Sequence, residues 1–266
     1  MKIHTFLPAV FLLALLGGAG LWLTACEIST AGESREDASI YRNTNGWREA
    51  LPGLSFRIAT VGGGAARMIL VRADLNFYYL SAVDALKIDR GERTTEELAI
   101  SHRAVGAING GYFDTDGTPL GLLIHRCRTL RPLRPVDWGI FIVRNGKAEI
   151  RHTRDGVPAG TEEAIQCGPR LVIGGDVPSF YPEISARSGI GIDHEGRVIL
   201  AATSQGELSL RQFALALKAF GCADAMNLDG GPSTQLFFKA GKTLLDIPGG
   251  YGIPTALLLV PRRTGP

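Results

Sequence analysis

Cysteine is scarce in this sequence, and an excess of either charge is absent. The 266 residues include only four cysteines, and none lies in a Cys-x-x-Cys or Cys/His spacing, so nothing in the pattern indicates a zinc site. The 28 basic and 26 acidic residues nearly cancel, which gives no reason to expect a nucleic-acid partner. We find no internal repeat, and the length of the chain therefore indicates one main domain.

The longest apolar run lies at the N-terminus. Lys2 supplies a basic start, residues 6–23 are almost wholly apolar, and small residues precede Cys26. This order is typical of a secretory signal. A cysteine at the cleavage position resembles the bacterial lipobox, so we predict a lipoprotein signal peptide over residues 1–25, with lipidation at Cys26. A one-pass anchor and an unlipidated signal peptide remain as alternatives, because a spanning helix needs ~20 apolar residues.

The segment after the predicted cleavage site is polar. Residues 26–50 are rich in Ser, Thr, Glu, Asp, Arg, Asn and Gly. Such a segment cannot bury enough apolar surface to offset the entropy of ordering it. We therefore predict a flexible tether over residues 26–50 and one folded domain over residues 51–263, which is long enough for a sizeable core.

A lipid anchor at Cys26 predicts a location as well as a membrane contact. We expect an exported protein that is attached to the cell envelope and faces the periplasm. Glu27, rather than an aspartate retention signal, follows Cys26, which favours the outer membrane. With Cys26 acylated, Cys127, Cys167 and Cys222 remain, and export permits a disulfide between two of them. The sequence does not choose the pair.

Most of the predicted domain consists of short strands between Gly, Pro and Asp residues. Gly139–Arg144 and Lys147–Arg151 flank Asn145-Gly146, which is a favoured two-residue hairpin turn. Thr255–Val260 is continuously apolar, as is typical of a central strand that is covered on both faces.

Two segments have helical patterns with clear start signals. Thr94 or Thr95 can cap a helix that runs to about Arg103. Ser209 and Gln212 form a capping-box pattern before a second amphipathic helix that ends at Gly221. Together these elements predict an α+β fold, a single domain with a mixed, mostly antiparallel β-sheet core and a few covering helices.

Four segments join apolar strand residues to polar groups that are flanked by glycine. They are Ala107–Phe113, Gln166–Val172, Arg187–Asp193 and Asn227–Thr234. Glycine lets the backbone turn sharply and lets a ligand approach, and a strand end holds a polar group rigidly. Asn-Gly-Gly and Asp-Gly-Gly are also ordinary turns. Four such segments in one domain favour a functional site.

The order of these segments resembles the phosphodiester glycosidase (uncovering-enzyme-like) family. The motifs Ala-Ile-Asn-Gly-Gly-Tyr-Phe, Gly-Pro-Arg-Leu-Val, Arg-Ser-Gly-Ile-Gly-Ile-Asp and Asn-Leu-Asp-Gly-Gly-Pro-Ser-Thr carry the resemblance, which runs from about residue 55 to about residue 260. The short, exported, exopolysaccharide-related bacterial branch fits best. Pro232 departs from the glycine or serine that is usual at its position. The resemblance implies a hydrolase that acts on a glycosidic or sugar-1-phosphodiester bond of an envelope or extracellular glycan.

Asp229 is the strongest candidate for the reacting group. Cleavage of a glycosidic bond usually takes two carboxylates, and Asp229 is the only strong candidate that the motifs supply. A departing phosphate monoester has a second pKa of about 6, so it leaves without much protonation. A guanidinium suits the fork geometry of a phosphate, and Arg187 is predicted to hold that group in place of a general acid.

The other predicted site residues line the same four segments. Asn109 is predicted to join Asp229 and Arg187 in the catalytic set. We expect the side chains of Asn109 and Asn227 to bind sugar hydroxyls. Tyr112 or Phe113 is a candidate to stack on a sugar. The predicted substrate-binding residues are Gly110, Gly111, Tyr112, Gly168, Ser188, Asn227, Gly230, Gly231, Ser233 and Thr234. We expect no cofactor. A glycan or sugar-phosphate substrate is the expected partner.

Three other enzymatic or cation-binding interpretations have less support. Ser233 follows the start of a nucleophile elbow, but Gln235 stands where a serine hydrolase has its closing glycine. Val61–Gly64 precedes a strand rather than a helix, so it predicts a hairpin loop and not a nucleotide site. Asp114–Gly117 begins like a calcium loop whose twelfth position is His125, which leaves a weak divalent-cation site open.

A non-catalytic function remains as the main alternative. One convincing carboxylate is also compatible with a lipoprotein that binds envelope glycans and has the same fold. The local run of Arg126, Arg128, Arg131 and Arg134 is compatible with either a solvated hairpin or an anion-binding rim.

Overall fold

The computed structural model describes residues 46–88 and 92–262. The predicted signal peptide, Cys26 and most of the predicted tether therefore lie outside the described residues. The first strand, β1 (Arg48–Leu51), begins inside the predicted tether, so the folded region starts a few residues earlier than expected. Among the described residues, no helix is long and apolar enough to cross a membrane.

The described residues form one seven-stranded sheet, two five-stranded sheets and a two-stranded ribbon. The large sheet has the order β1, β2 (Leu54–Val61), β3 (Ala66–Ala73), β14 (Val198–Gly206), β13 (Ser188–Asp193), β16 (Cys222–Asn227) and β11 (Arg170–Val172). The second sheet has the order β18 (Thr243–Ile247), β17 (Leu236–Ala240), β5 (Gly106–Asn109), β19 (Thr255–Pro261) and β4 (Tyr78–Asp84). The third has the order β7 (Arg128–Arg131), β6 (Leu123–His125), β10 (Glu163–Cys167), β8 (Gly139–Arg144) and β9 (Lys147–His152), and β12 (Ile184–Ser185) pairs with β15 (Leu208–Ser209).

Every pairing among these described strands is antiparallel. The mostly antiparallel core is therefore confirmed, but the fold is β-rich rather than a balanced α+β fold. Parallel pairs need crossover connections of a dozen or more residues, usually helices, and the described helices are few. They are α1 (Ala85–Ile88), α2 (Thr95–His102) and α3 (Leu210–Ala219).

The predicted local signals occur where expected. Thr94 caps α2 and Ser209 caps α3, and both helices have a complete capping box. The backbone of Asn145 and Gly146 is left-handed, as the two-residue turn between β8 and β9 requires. Strand β19 lies between β4 and β5 and is buried except at its last residue, which confirms the predicted central strand.

The core lies between the sheets, and each of the two longer helices covers an outer sheet face. The inner cluster combines residues of all three large sheets, among them Phe56, Phe141 and Phe238. Helix α3 buries Leu210, Phe213, Ala214 and Leu217 against the seven-stranded sheet. This i, i+3, i+4, i+7 spacing forms one apolar face, which explains why the segment is a helix on the sheet and not a strand in it.

We expect Phe213→Ala to destabilise the protein by about 3–5 kcal/mol, because Phe213 is fully buried and its removal leaves a cavity. The Phe213 ring fills the space over Gly189, which lies near the start of β13, a strand that begins at the candidate site. Urea unfolding measures the change. Ile100→Ala on α2 is the control, since Ile100 is 65% exposed, and should change the free energy of unfolding by less than about 0.5 kcal/mol. Equal effects of the two substitutions would contradict this packing.

Candidate active site

Backbone hydrogen bonds join the four glycine-flanked segments around Asp229. The donors all lie in the segment Asn227–Gly231, which follows β16. The bonds are Asp229 N–H to Gly110 O at 3.1 Å, Gly231 N–H to Ala186 O at 2.8 Å, Leu228 N–H to Ser188 O at 2.9 Å and Asn227 N–H to Pro169 O at 2.9 Å. Segments from separate parts of the chain thus meet at one place, where strands of two different sheets end.

The predicted glycines allow the protein's own segments to approach one another. A Cβ atom on Gly111 would lie 2.7 Å from Gln166 O, and one on Gly230 would lie 2.6 Å from Ala186 O. At Gly110 and Gly168 the obstacles are the side chains of Thr255 and Trp138. Gly231 differs, because its left-handed φ of 59° favours glycine, while an added Cβ atom would make only an ordinary contact with Ser185 Oγ at 3.5 Å.

Asn109 ties the Asp229 segment to its surroundings. Its side-chain amide donates to Asp229 O at 2.7 Å, and its side-chain oxygen accepts from the Gln235 N–H at 3.0 Å. Asn109 is 1% exposed. Its amide is therefore engaged by the protein, and in this structure Asn109 positions Asp229 rather than facing a sugar hydroxyl.

Tyr112 and Asn227 form a second buried network beside Asp229. The Tyr112 hydroxyl donates to Gly168 O and accepts from the Asn227 amide at 3.2 Å. Burial raises the pKa of Tyr112 well above its usual range, so the phenol stays neutral. The Tyr112 ring lies edge-on to Trp138, with centroids 5.1 Å apart. This packing fixes the ring that was considered for sugar stacking.

The Asp229 carboxyl group is partly buried, and this burial raises its pKa above the usual value. Hydrogen bonds from the Ser233 hydroxyl and the Gly230 backbone act in the opposite direction and favour the ionised form. Ser233 is 1% exposed and also contacts Tyr251, with 3.0 Å between the two hydroxyl oxygens. Burial and hydrogen bonding thus act in opposite directions on the pKa of Asp229, and burial has the larger effect.

Arg187 lies near the same place but is anchored elsewhere. Its Nε donates to Leu208 O at 2.9 Å, a terminal nitrogen donates to Glu183 O, and another terminal nitrogen lies 3.8 Å from the Glu183 carboxylate. Among the described residues, no hydrogen bond or ion pair joins Arg187 to Asp229. Both charges act on Tyr112, so the phenol lies within the electrostatic reach of each.

Several buried polar atoms near Asp229 have no partner among the described residues. They are Ser188 Oγ, Asn227 Oδ1, Thr234 Oγ1 and Thr255 Oγ1. Each belongs to the segments that hold Asp229 or to a strand bonded to them. Buried polar groups are normally hydrogen-bonded, and four unpaired ones around a single loop are typical of a functional site. A groove of about 230 Å³ runs beside them, lined by Ala186, Gly231, Pro232 and Thr234 among others.

A larger cavity of about 670 Å³ lies elsewhere, against β1, β2 and β3. Its polar lining includes Arg48, Thr60 and Arg67 but none of the predicted site residues. Cavity volume alone therefore does not identify the functional site. The hydrogen bonds that bring four segments together at Asp229 are stronger evidence for its position.

Two residues at the site were not among the predicted ones. Tyr251 reaches Ser233, and Gln235 joins Asn109 to the Tyr251 loop through a hydrogen bond from its side-chain amide to Tyr251 O at 2.6 Å. Gly249-Gly250-Tyr251 repeats the glycine-flanked aromatic pattern of Gly110-Gly111-Tyr112. This repeated pattern is the sequence feature that could have predicted Tyr251 as a site residue.

The remaining alternatives are placed away from Asp229. The contacts described for the Ser233 hydroxyl are to Asp229 and Tyr251, not to a histidine, so a serine-hydrolase triad is not formed. Val61–Gly64 forms the predicted loop of a hairpin between β2 and β3. The Asp114 and Asp116 carboxylates accept backbone N–H groups of their own turn, as Asx turns do.

The basic run and the cysteines also lie outside the network. Arg126 and Arg128 are exposed on the β6–β7 hairpin, Arg131 pairs with Asp84 at 3.4 Å, and Arg134 lies over the Trp138 ring. Cys127, Cys167 and Cys222 are free thiols in this structure, so the permitted disulfide is not formed. Burial raises the pKa of the Cys167 thiol to about 12 and keeps it unreactive.

A partly buried carboxyl group that is held by clamped loops beside a surface groove is typical of hydrolase active sites. The family model that describes phosphodiester glycosidases matches residues 102–260, which is more than half of the chain. The chain belongs to the phosphodiester glycosidase family.

A mouse enzyme and three solved structures are similar to this chain. The mouse N-acetylglucosamine-1-phosphodiester alpha-N-acetylglucosaminidase is 29% identical over 141 residues, which cover 50% of this chain and 25% of the mouse enzyme. The chain thus matches about a quarter of the length of that relative.

The solved structures share the fold. The catalytic domain of the zebrafish enzyme of the same name, auto-inhibited by its pro-peptide, has a TM-score of 0.65 and 21% identity, over 84% of this chain and 89% of that one. A hypothetical protein from Synechocystis has a TM-score of 0.62 and 18% identity, over 79% and 62%. A putative exported protein from Burkholderia pseudomallei has a TM-score of 0.59 and 12% identity, over 77% and 74%.

We expect Asp229→Asn to raise the melting temperature at about pH 7.5, by about 2–4 °C. Because burial raises the pKa of Asp229, the folded protein binds the proton more tightly than the unfolded chain. The carboxyl group then favours folding below its unfolded pKa, and this contribution is lost as the pH rises through the folded pKa. The asparagine is neutral throughout, so its advantage should vanish near about pH 3.

Asp116→Asn is the matched control for this measurement by thermal unfolding. Hydrogen bonds from Thr118 lower the pKa of Asp116, so removal of its charge should lower the melting temperature at neutral pH. A variant at Asp229 that is less stable than the parent at neutral pH would contradict the assignment of a destabilised carboxylate.

Proposed function

We propose that the protein is an exported hydrolase that cleaves a glycosidic or sugar-1-phosphodiester bond of an envelope or extracellular glycan, as an exopolysaccharide-related bacterial member of the family. One observation carries the proposal: Asp229 has a raised pKa and lies at the meeting point of four clamped segments in a phosphodiester glycosidase chain. The name of the mouse relative, which specifies a sugar-1-phosphodiester, supports the same bond class.

In this proposal Asp229 acts at the anomeric carbon as the base or the nucleophile. As a base it accepts a proton from water while the water oxygen bonds to the sugar, and the phosphate monoester departs with the bonding electrons. The monoester needs little protonation, because its second pKa is about 6. In this reaction one carboxylate is sufficient.

Arg187 contributes positive potential at the anionic part of the substrate. Its bonds to Leu208 O and Glu183 O hold the guanidinium in place, so it acts as a fixed charge and not as a moving clamp. The open groove beside Gly231 and Thr234 supplies backbone and hydroxyl groups for the phosphate or the sugar.

Glycan binding without catalysis is the second candidate function. The observation that favours binding is that no hydrogen bond or ion pair among the described residues joins a second carboxylate to Asp229. The amides of Asn109 and Asn227 bond to the protein, so they do not supply a catalytic group in its place. Incubation with peptidoglycan fragments, exopolysaccharide and a model sugar-1-phosphodiester separates the two. New reducing ends or released phosphate monoester support hydrolysis, and retention without product supports binding.

We expect Asp229→Asn and Arg187→Ala each to reduce kcat/KM at least about a hundredfold on a substrate that the parent protein cleaves. The first change removes the proton acceptor, and the second removes the fixed charge. Asp246→Asn on the edge strand β18 is the control and should keep activity within about twofold. Near-full activity of either test variant, at unchanged circular dichroism, would remove that residue from the mechanism.

We further propose that the protein is lipid-anchored through Cys26 and faces the periplasm, with the outer membrane as its location. The proposal rests on the signal-like residues 1–25 and the cysteine that follows them.

We expect the parent protein to partition into the detergent phase and to label with a palmitate probe, because acylation gives Cys26 an apolar anchor. Cys26→Ser should lose both properties, whereas Cys127→Ser, which changes an exposed thiol within the folded region, should keep both. Unlabelled parent protein in the soluble fraction would contradict lipidation.

A further inference from the structure

A chain of hydroxyl groups runs from Asp229 toward the surface. The Ser233 hydroxyl lies 3.0 Å from the Tyr251 hydroxyl, and its hydrogen-bonding effect on the Asp229 carboxyl group lowers the pKa of that group. Ser233 is 1% exposed, whereas Tyr251 is 47% exposed. The three groups therefore span the distance from a partly buried carboxyl group to a side chain that reaches solvent.

The loop that carries Tyr251 is fixed to the Asp229 segment. The Gly250 N–H donates to Pro232 O at 2.7 Å, next to Ser233. The Gln235 side chain donates to Tyr251 O at 2.6 Å, while the Gln235 backbone N–H donates to Asn109. The same loop is thus linked to the residue that clamps Asp229, and the hydroxyl contact is part of a rigid arrangement.

The number of protons on these groups decides the direction of the hydrogen bonds. An ionised carboxylate only accepts, so the single proton of the Ser233 hydroxyl points to Asp229. Ser233 then has only lone pairs to offer Tyr251, and the Tyr251 O–H must be the donor. When Asp229 carries a proton, the chain can run in the reverse direction, with Asp229 donating to Ser233 and Ser233 donating to Tyr251.

We propose that Ser233 and Tyr251 form a proton relay that returns the proton taken up by Asp229 to solvent. The relay rests on the proposed function, and it assigns Asp229 the role of base and not of nucleophile. After water has attacked the sugar, Asp229 passes its proton to Ser233, Ser233 passes its own to Tyr251, and Tyr251 passes its own to water. Each hydroxyl ends with one proton, Asp229 is ionised again, and no electrons are transferred.

The relay explains two features that the hydrolase proposal leaves open. Asp229 is removed from bulk water enough to raise its pKa, which slows direct loss of its proton. Tyr251 has an exposed aromatic side chain, yet its ring is held edge-on to Phe113 with centroids 6.3 Å apart, and its backbone oxygen is bound. An anchored phenol at the mouth of a buried carboxyl group is a suitable proton exit.

Tyr251→Phe is the sharpest test, because it removes the hydroxyl and keeps the ring against Phe113. On a substrate that the parent protein cleaves, we expect kcat to fall at least about tenfold while KM stays within about twofold. The solvent deuterium isotope effect on kcat should rise, and a small external base such as imidazole should restore part of the rate. Ser233→Ala should behave similarly, and Ser233→Thr, which keeps a hydroxyl, should retain more activity.

Tyr181→Phe is the matched control, since Tyr181 is 91% exposed and no hydrogen bond among the described residues joins it to Asp229, Ser233 or Tyr251. This variant should leave kcat and the isotope effect unchanged. Thermal unfolding shows whether each variant is folded. An active parent with a Tyr251→Phe variant of equal kcat, isotope effect and pH profile would overturn the relay and leave the hydrolase proposal standing. A parent protein without turnover on every substrate tested would overturn the hydrolase proposal, and the relay with it.

Discussion

The buried amide of Asn109 is the interaction on which the candidate site depends most directly. It joins the end of β5 to the Asp229 backbone at 2.7 Å and to the Gln235 backbone at 3.0 Å. Asp229 follows β16 of the seven-stranded sheet, and Gln235 precedes β17 of the second sheet. A hydrogen bond in a water-poor interior is costly to break, because the partners left behind remain desolvated. The position of Asp229 is therefore set by the packing of the two sheets and not by the flexible loop alone.

Close approach of backbones is the second constraint, and it explains the glycines of the site. At Gly111 and Gly230 a Cβ atom would lie within 3 Å of a carbonyl oxygen from another segment. The glycine-flanked motifs are thus required mainly by the meeting of segments, while Gly231 keeps the open, left-handed position beside the groove. That turn lines the groove together with Pro232, whose fixed φ limits the movement of the loop.

Sequence reasoning was reliable where short-range chemistry decides the structure. The caps at Thr94 and Ser209 and the turn at Asn145-Gly146 depend on neighbours within a few residues, and all three were predictable. The partner of Asn109 lies 126 positions away, so no local pattern reveals whether its amide faces a substrate or the protein. The motifs of the four segments predicted a candidate site, whereas the anchoring of Arg187 and the contacts of Gln235 are visible only in the fold.

Some polar groups at the site bond to the protein itself, and only the others are left to bind a ligand. The amides of Asn109 and Asn227 and the Tyr112 hydroxyl are bonded to backbone oxygens, so they make the loops rigid. Rigid loops are what a carboxyl group with a raised pKa needs, because a mobile loop would turn it toward water and restore its ordinary pKa. The Ser188 and Thr234 hydroxyls have no partner among the described residues, but they are buried, so the accessible polar groups are those along the groove beside Gly231. Backbone N–H and carbonyl groups beside such a groove can bind hydroxyl-rich or phosphorylated ligands through directional hydrogen bonds, in agreement with a sugar phosphodiester as the substrate class.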